Sequence, residues 1–154
     1  MRIQLSNRQR RHCCESRRLK KVAARILSDL GCPDGTELSL MIVGDRTIRT
    51  INRNYLGKDR ATNVISFSLQ EGEYGDVNPL ALGDVVISAD TAAHEAQESR
   101  QTFFERLTFL VMHGILHLCG YDHERSGERE ARRMVRMEQR IFKRLQAEGL
   151  LTSQ

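Results

Sequence analysis

The chain has 154 residues, of which 40% are hydrophobic, and it carries a formal net charge of +4. A chain of this size and composition can bury a sizeable core, so we expect one domain spanning 1–154. Its apolar runs are far shorter than the ~20 residues that cross a bilayer, and its first residues lack the apolar stretch of an export signal. We therefore expect a cytoplasmic protein with no membrane partner.

Hydrophobic spacing predicts strands and helices in mixed order along the chain. Apolar runs that are rich in β-formers predict four strands, at 3–5, 37–44, 62–69 and 82–88. Apolar residues at helical spacing predict five helices, at 10–30, 45–57, 89–100, 102–118 and 128–144. A polar loop is expected at 71–79. This alternation is typical of an α/β chain.

Basic residues are concentrated in two stretches. The stretch from 8 to 25 is rich in Arg and Lys, starting with Arg8, Arg10 and Arg11, and Glu15 is its single acidic residue. The stretch from 125 to 144 interleaves its cations with glutamates, which predicts ion pairs within one helix; these include Glu128, Glu130 and Glu138. The first stretch is the better candidate for binding a polyanion, although a solvated helix face explains it equally well.

Three of the five histidines fall within HGILHLCGYDH, at 113–123. His113 and His117 are four residues apart in an apolar helix, so both imidazoles project from one face and can reach one metal ion. Gly120 permits a left-handed turn that returns His123 towards them. Three protein ligands leave one position for an activated water, as in a catalytic zinc site. A pair of histidines alone in an apolar helix would more often be core residues than metal ligands. The third histidine favours the interpretation as a metal site.

Four neighbours of the histidines bear on the chemistry. Zinc peptidases with an HExxH motif carry a glutamate base after the first histidine, where this chain has Gly114. Asp122 or Glu124 is a candidate for orienting a ligand or the water, although capping and surface charge explain them equally well. Cys119 lies among apolar residues and is interpreted as a packed side chain. Zinc is favoured over nickel or iron only by ligand type and availability.

With KDRATNVISFSL at 58–69 and LGDVVIS at 82–88, the histidine string closely resembles the YbeY family of bacterial endoribonucleases. The resemblance spans most of the chain. It implies an α/β (α+β) fold in which a small mixed four-stranded sheet packs with about five helices. It also implies one zinc ion per chain, on a buried helix and the loop that follows it, with His113, His117 and His123 as ligands.

The resemblance further implies a zinc-dependent endoribonuclease, specific for single strands, that acts in 16S ribosomal RNA 3′-end maturation and in ribosome quality control. The expected partners are ribosomal RNA and the small ribosomal subunit, with a ribosomal protein or a GTPase as further candidates. Thr62, Asn63 and Asp84 match family segments and are candidates for lining the site, although strand-end roles explain them equally well.

The remaining site residues follow from this resemblance and from charge. The candidates for substrate binding are Arg8, Arg10, Arg11, Arg53 and Asn63, and the candidates for catalysis beside the metal-activated water are Lys58, Arg60 and Asp122. Many family members carry an arginine where this chain has Leu56, and a guanidinium there would clamp a phosphate. Lys58, Arg60 or Arg53 would have to supply this positive charge instead. If none of them does, the activity is weaker.

Two other functions stay open at this point. The first is a ribosome-associated assembly or binding factor with a mainly structural zinc ion, which Leu56 favours. The second is a metallohydrolase of another substrate, which an open zinc site favours and Gly114 disfavours for peptides. Outside the cluster, His94 is predicted on a helix surface and His12 belongs with the N-terminal basic residues.

Overall fold

The computed structural model describes residues 1–70, 78–121 and 127–152. Its strands are β1 (Arg2–Asn7), β2 (Glu37–Val43), β3 (Val64–Ser68) and β4 (Ala81–Ser88). Its helices are α1 (Ser16–Asp29), α2 (Asp45–Leu56), α3 (Ala89–Ser99), α4 (Phe103–Leu118) and α5 (Gly127–Ala147). The order and type of these elements confirm the predicted α/β fold. Among the described residues no helix is both long and apolar enough to cross a membrane.

The four strands form one mixed sheet in the order β1-β2-β4-β3. The first three in this order are parallel to one another, whereas β3 is antiparallel to β4. The carboxyl ends of β1, β2 and β4 therefore meet at one end of the sheet, which we call the carboxyl edge. β3 starts at that edge, where Val64 pairs with Ile87, and it ends at the opposite, amino edge, where Ser68 pairs with Gly83.

The two faces of the sheet bury separate apolar clusters. The main core joins one face to α1, α4 and α5, and includes Leu27, Leu40, Val85, Ile115 and Ile141. A smaller cluster joins the other face to α2, and consists of Val43, Ile48, Ile65 and Val86. Ten of the sixteen residues of α4 are buried, so the helix predicted at 102–118 is a core helix, as expected. α2 and α4 thus lie on opposite faces of the sheet.

The helix predicted at 10–30 begins only at Ser16. Residues 8–15 instead form an irregular, bent segment, here called the arm, in which Gln9 accepts a hydrogen bond from the His12 N–H (2.9 Å) and donates one to the His12 carbonyl (2.8 Å). The charged residues before Cys14 offer no apolar face to bury, so these polar contacts set the backbone instead of a helix. The strand predicted at 3–5 is also longer in the structure and ends at Asn7, because β1 pairs with β2 over its whole length.

Gly120 ends α4, as its position predicted. The residue has a φ of 95°, and its N–H donates to the His117 carbonyl while the Tyr121 N–H donates to the Leu116 carbonyl. This pair of hydrogen bonds is a Schellman turn, in which glycine supplies the left-handed conformation. The chain that follows, 122–126, lies outside the described residues, and with it lie His123, Asp122 and Glu124.

Gly114 sets the depth at which α4 packs on the sheet. The Ser66 hydroxyl donates to the Gly114 carbonyl at 3.1 Å. A Cβ at position 114 would lie 2.6 Å from Val85 Cγ1, which is too close for any side chain. Glycine is therefore required for the close approach of helix and sheet, and a glutamate here would collide with β4. This packing explains physically why the peptidase base is missing.

The arm is held at the carboxyl edge by Asp90, in the first turn of α3. One carboxylate oxygen accepts the Asp45 N–H at 2.9 Å, and the other lies 3.2 Å from His12 Nε2 and 3.7 Å from Arg11. The His12 ring also stacks on Phe103, with ring centroids 5.2 Å apart. The Asp45 N–H above all, helped by His12 and Arg11, holds the pKa of Asp90 below its ordinary value of 3.8.

We predict that Gly114→Ala lowers the free energy of unfolding by about 1–3 kcal/mol, because the buried helix cannot move freely away from Val85. Chemical denaturation of the metal-free protein measures this change. The double variant Gly114→Ala/Val85→Ala removes the colliding methyl groups, so it should cost less than the sum of the single changes. Strict additivity would show that α4 does not rest on Val85.

We also predict that Asp90→Asn lowers the free energy of unfolding at neutral pH by about 1–2 kcal/mol, through loss of hydrogen bonds to a carboxylate. Because folding lowers the pKa of Asp90, its stabilisation is present above the unfolded value near 4 and is lost as pH falls through the folded value. The difference from wild type should therefore shrink below about pH 4 in urea titrations. Asp34→Asn, at an exposed carboxylate, is the control; a constant difference would contradict the assignment.

Candidate metal centre

His113 and His117 meet on one face of α4, as their spacing predicted. Their Nε2 atoms lie 3.1 Å apart. Two nitrogens that bind the same tetrahedral zinc ion, each at ~2.0–2.1 Å, lie ~3.3 Å from each other. Both rings are partly buried, and both direct the same nitrogen to a common point. The described donor pair therefore fits a metal ion.

Glu138, on α5, holds the ring of His113 from the other side. Its carboxylate is 6% exposed and accepts a hydrogen bond from His113 Nδ1 at 3.2 Å. The prediction that Glu138 pairs with cations of its own helix was wrong, whereas Arg132–Glu128 and Arg133–Glu130 do pair in that way. A carboxylate at Nδ1 places the ring proton there and leaves the Nε2 lone pair for a metal.

The sequence held a signal for Glu138 that the charge pattern concealed. The buried residues of α5 are Met134, Glu138, Ile141 and Leu145, which follow one another at helical spacing. Glu138 is thus a carboxylate in the middle of an apolar stripe. Because a buried carboxylate needs a partner that offsets its desolvation, its position indicates a functional contact and not a surface ion pair.

Aromatic side chains confine the His113 ring further. Phe109 stacks on His113, with ring centroids 6.3 Å apart and planes inclined by 21°. Phe142 of α5 packs its edge against Phe109, and the Arg106 guanidinium lies 4.8 Å above the same ring. The two histidine rings meet edge to face at 4.7 Å. The orientation of His113 is therefore fixed by packing as well as by Glu138.

No group of three metal-ligating side chains occurs within the described residues. The third expected ligand, His123, follows the Gly120 turn and lies outside the described residues. Cys119 packs partly buried against the core, as interpreted from sequence. Burial, with a smaller contribution from Cys32, raises the pKa of the Cys119 thiol to about 12. The thiol is therefore a packed, protonated side chain in the metal-free protein.

The arm and the histidines lie at different heights along α4. The arm carries Arg8, Arg10 and Arg11 and contacts the first residue of the helix, Phe103, through His12. His113 and His117 are ten and fourteen residues further on, so they lie roughly 15–20 Å away along the axis at 1.5 Å per residue. The structure does not bring these two sets of predicted residues together.

The loop after α2 places the other predicted cations on the surface. Arg60 lines a hollow of about 430 Å³ with Arg46, Arg49 and Asp59. Arg53 lies 3.9 Å from Asp59, which also binds Arg49 at 2.9 Å and has its pKa lowered mainly by that contact. Lys58 is exposed. This side of the molecule therefore presents several guanidinium groups, two of which share the Asp59 carboxylate.

The three candidates from the strand motifs have distinct positions. The Asn63 amide donates to Glu95 at 3.1 Å, and Glu95 also accepts from Arg106 at 3.0 Å. Thr62 precedes Asn63 at the start of β3 and is half-buried. Asp84 directly precedes Val85, which faces Gly114, so its side chain points to the opposite face of the sheet from the histidines.

His94 lies where the sequence predicted, on the surface of α3. Its side chain is 72% exposed and lies 2.8 Å from Glu98 one turn later. This histidine therefore provides a comparison for the partly buried pair on α4.

Comparison with known proteins extends over nearly the whole chain. The sequence profile of the family described as Endoribonuclease YbeY matches residues 4–146. Proteins named Endoribonuclease YbeY are similar: that of Geobacter metallireducens is 61% identical, covering 98% of this chain and 100% of the relative. That of Syntrophotalea carbinolica is 53% identical, covering 96% and 98%. That of Bacillus licheniformis is 39% identical, covering 82% of each.

A solved structure supports the fold independently. The solution structure of a protein from Thermotoga maritima aligns with a TM-score of 0.61, covering 98% of this chain and 96% of that one. The two sequences are 21% identical, so this likeness bears on the architecture alone. The mixed sheet with its surrounding helices is therefore a fold found in a solved protein.

We predict that Glu138→Gln weakens metal binding about 10–100-fold, because the His113 ring loses the charge that orients its Nε2. Competition with a chromogenic chelator measures the affinity, and thermal unfolding of the metal-free protein measures any general damage. Glu128→Gln, at a 91% exposed carboxylate on the same helix, is the matched control and should bind metal normally. Wild-type affinity in Glu138→Gln would mean that Glu138 only fills space.

Proposed function

Because the chain belongs to the Endoribonuclease YbeY family and is therefore a nuclease, we propose that it is a zinc-dependent enzyme that cuts single-stranded ribosomal RNA. The proposed roles are maturation of the 16S ribosomal RNA 3′ end and ribosome quality control. The observation that carries the metal dependence is the His113–His117 pair, whose Nε2 atoms converge to 3.1 Å while Glu138 fixes the first ring. One zinc ion per chain is proposed because imidazole ligands suit zinc and zinc is widely available.

His113 and His117 would hold the ion, together with His123 from the following loop. When bound, such an ion polarises a phosphate oxygen and lowers the pKa of water. The chain itself contributes orientation: Glu138 keeps the His113 proton on Nδ1, and Phe109 keeps the ring from rotating. Asp122, the candidate beside the third histidine, would orient either His123 or the attacking water.

The basic surfaces support an RNA substrate. The net charge is +4, and the exposed cations of the arm and of the loop after α2 offer contacts to phosphates. Arg8, Arg10, Arg11 and Arg53 are proposed to bind the RNA backbone, with Lys58 and Arg60 as candidates for neutralising the cleaved phosphate. Phosphate contacts position a nucleic acid but carry little sequence information.

The choice of cleavage site is therefore assigned to the assembly in which the enzyme acts. We propose the small ribosomal subunit as that partner, with a ribosomal protein or a GTPase as an additional one. A substrate of this kind places the enzyme in the cytoplasm. Asn63, bound to Glu95 beside Arg106, is proposed to contact RNA at the carboxyl edge of the sheet.

One observation favours a second function, that of a ribosome assembly factor that binds without cutting. Leu56 is 50% exposed at the end of α2, where an arginine of other family members would offer a phosphate clamp. A leucine cannot stabilise the charge that develops on a cleaved phosphate. The peptidase alternative is not proposed, because a glutamate base at position 114 would collide with Val85.

We predict that His117→Ala loses both the metal ion and RNA cleavage while retaining the fold. Elemental analysis, circular dichroism and cleavage of ribosomal RNA in chelator-treated reagents measure the three properties. His94→Ala removes an exposed histidine from α3 and is the control, which should retain about one zinc ion and full activity. Equal cleavage by wild type and His117→Ala would assign the signal to a contaminant and leave the binding factor as the better function.

A further inference from the structure

Tyr55 keeps a large aromatic surface in water. Its side chain is 73% exposed, more than any other large hydrophobic residue of the described chain. Its ring packs edge-on against Phe67 of β3, with centroids 5.7 Å apart and planes inclined by 69°. Because Phe67 is partly buried in the cluster under α2, this contact restrains the ring while most of the Tyr55 side chain stays exposed. Next to it, Leu56 is 50% exposed and extends the apolar surface.

Exposed cations lie close to Tyr55 along the chain. Arg53 and Lys58, two residues before and three residues after Tyr55, are both exposed. The nearby carboxylate of Asp59 is already bound by Arg49 and lies 3.9 Å from Arg53. Single exposed apolar side chains are common and need no partner. A restrained, exposed aromatic ring in a segment that also carries exposed cations, however, offers the two kinds of contact with which proteins bind single-stranded nucleic acids, namely stacking and phosphate contacts.

The position of Tyr55 relates it to the metal centre. Its partner Phe67 directly follows Ser66, whose hydroxyl donates to the carbonyl of Gly114, the residue after His113. Neighbouring residues of a strand point to opposite faces, so Tyr55 and the histidines lie at the same level on the two sides of β3. Within the described sheet β3 is an edge strand. A polynucleotide can therefore pass around β3 from one face to the other.

We propose that Tyr55 is a stacking platform for a base of the single-stranded RNA substrate, on the opposite side of β3 from the His113–His117 pair. This proposal rests on the proposed function and adds a residue that positions the substrate. Every base presents a flat π-face, so the platform accepts RNA without reading its sequence. Leu56, which is 50% exposed beside Tyr55 in the sequence, offers further apolar contact to the same base.

The affinity test uses a short single-stranded RNA oligonucleotide and proteins in the His117→Ala background, so that binding is measured without cleavage. Tyr55→Ala should weaken binding about 5- to 100-fold in fluorescence anisotropy, whereas Tyr55→Phe keeps the ring and should bind like the parent. Val135→Ala, at another exposed apolar residue, is the matched control and should leave binding unchanged. Lys58→Ala should reduce the salt dependence of binding, which Tyr55→Ala should not.

A second measurement reports stacking directly. The chain contains no tryptophan, so Tyr55→Trp introduces a single tryptophan at the platform. RNA should quench its emission, while the emission of Val135→Trp should stay constant. RNA binding by the parent together with unchanged affinity in Tyr55→Ala and no quenching would overturn the platform but leave the proposed function standing. No binding and no cleavage by wild-type protein would overturn both.

Discussion

The contact between Gly114 and β4 determines where the functional side chains of this protein lie. Because position 114 has no Cβ, α4 approaches the sheet until Val85 and the Ser66 hydroxyl touch its backbone. His113 lies beside that contact and His117 one turn after it, so the depth of the helix also sets the position of both imidazoles. The same glycine excludes the glutamate base of zinc peptidases. Packing and chemistry are therefore decided by one residue.

The second helix of the site, α5, connects the metal centre with the main core. Glu138 reaches His113 from a stripe whose other members, Met134, Ile141 and Leu145, are buried against the core. The carboxylate costs desolvation, and a hydrogen-bonded imidazole that also binds a cation would offset that cost. α5 therefore supports His113 through the same stripe that packs against the main core, so the orientation of this ring depends on the packing of α5.

The sequence was sufficient for the elements and the histidine pair, because both depend on local spacing. Apolar periodicity predicted each strand and helix in order, and the separation of His113 from His117 predicted their convergence. Prediction from the sequence failed where contacts between residues distant along the chain decide the structure. Asp90 binds His12 of the arm from 78 residues away, and Glu138 pairs with His113, which is 25 residues away along the chain. The contact with Asp90 leaves no periodic signal, and the apolar stripe around Glu138 indicates its burial but not its partner.

The separation of basic and metal-binding residues constrains how RNA can lie on the protein. The arm contacts the start of α4, whereas the histidines occupy its last turns, roughly 15–20 Å further along the axis. A single RNA strand that reaches both sets of residues must extend over several nucleotides. An RNA double helix would not follow such a path around β3. Exposed arginines at the carboxyl edge would then supply affinity, while residues near β3 would fix the register of the cleaved bond. That division of roles favours an extended, single-stranded substrate over a duplex.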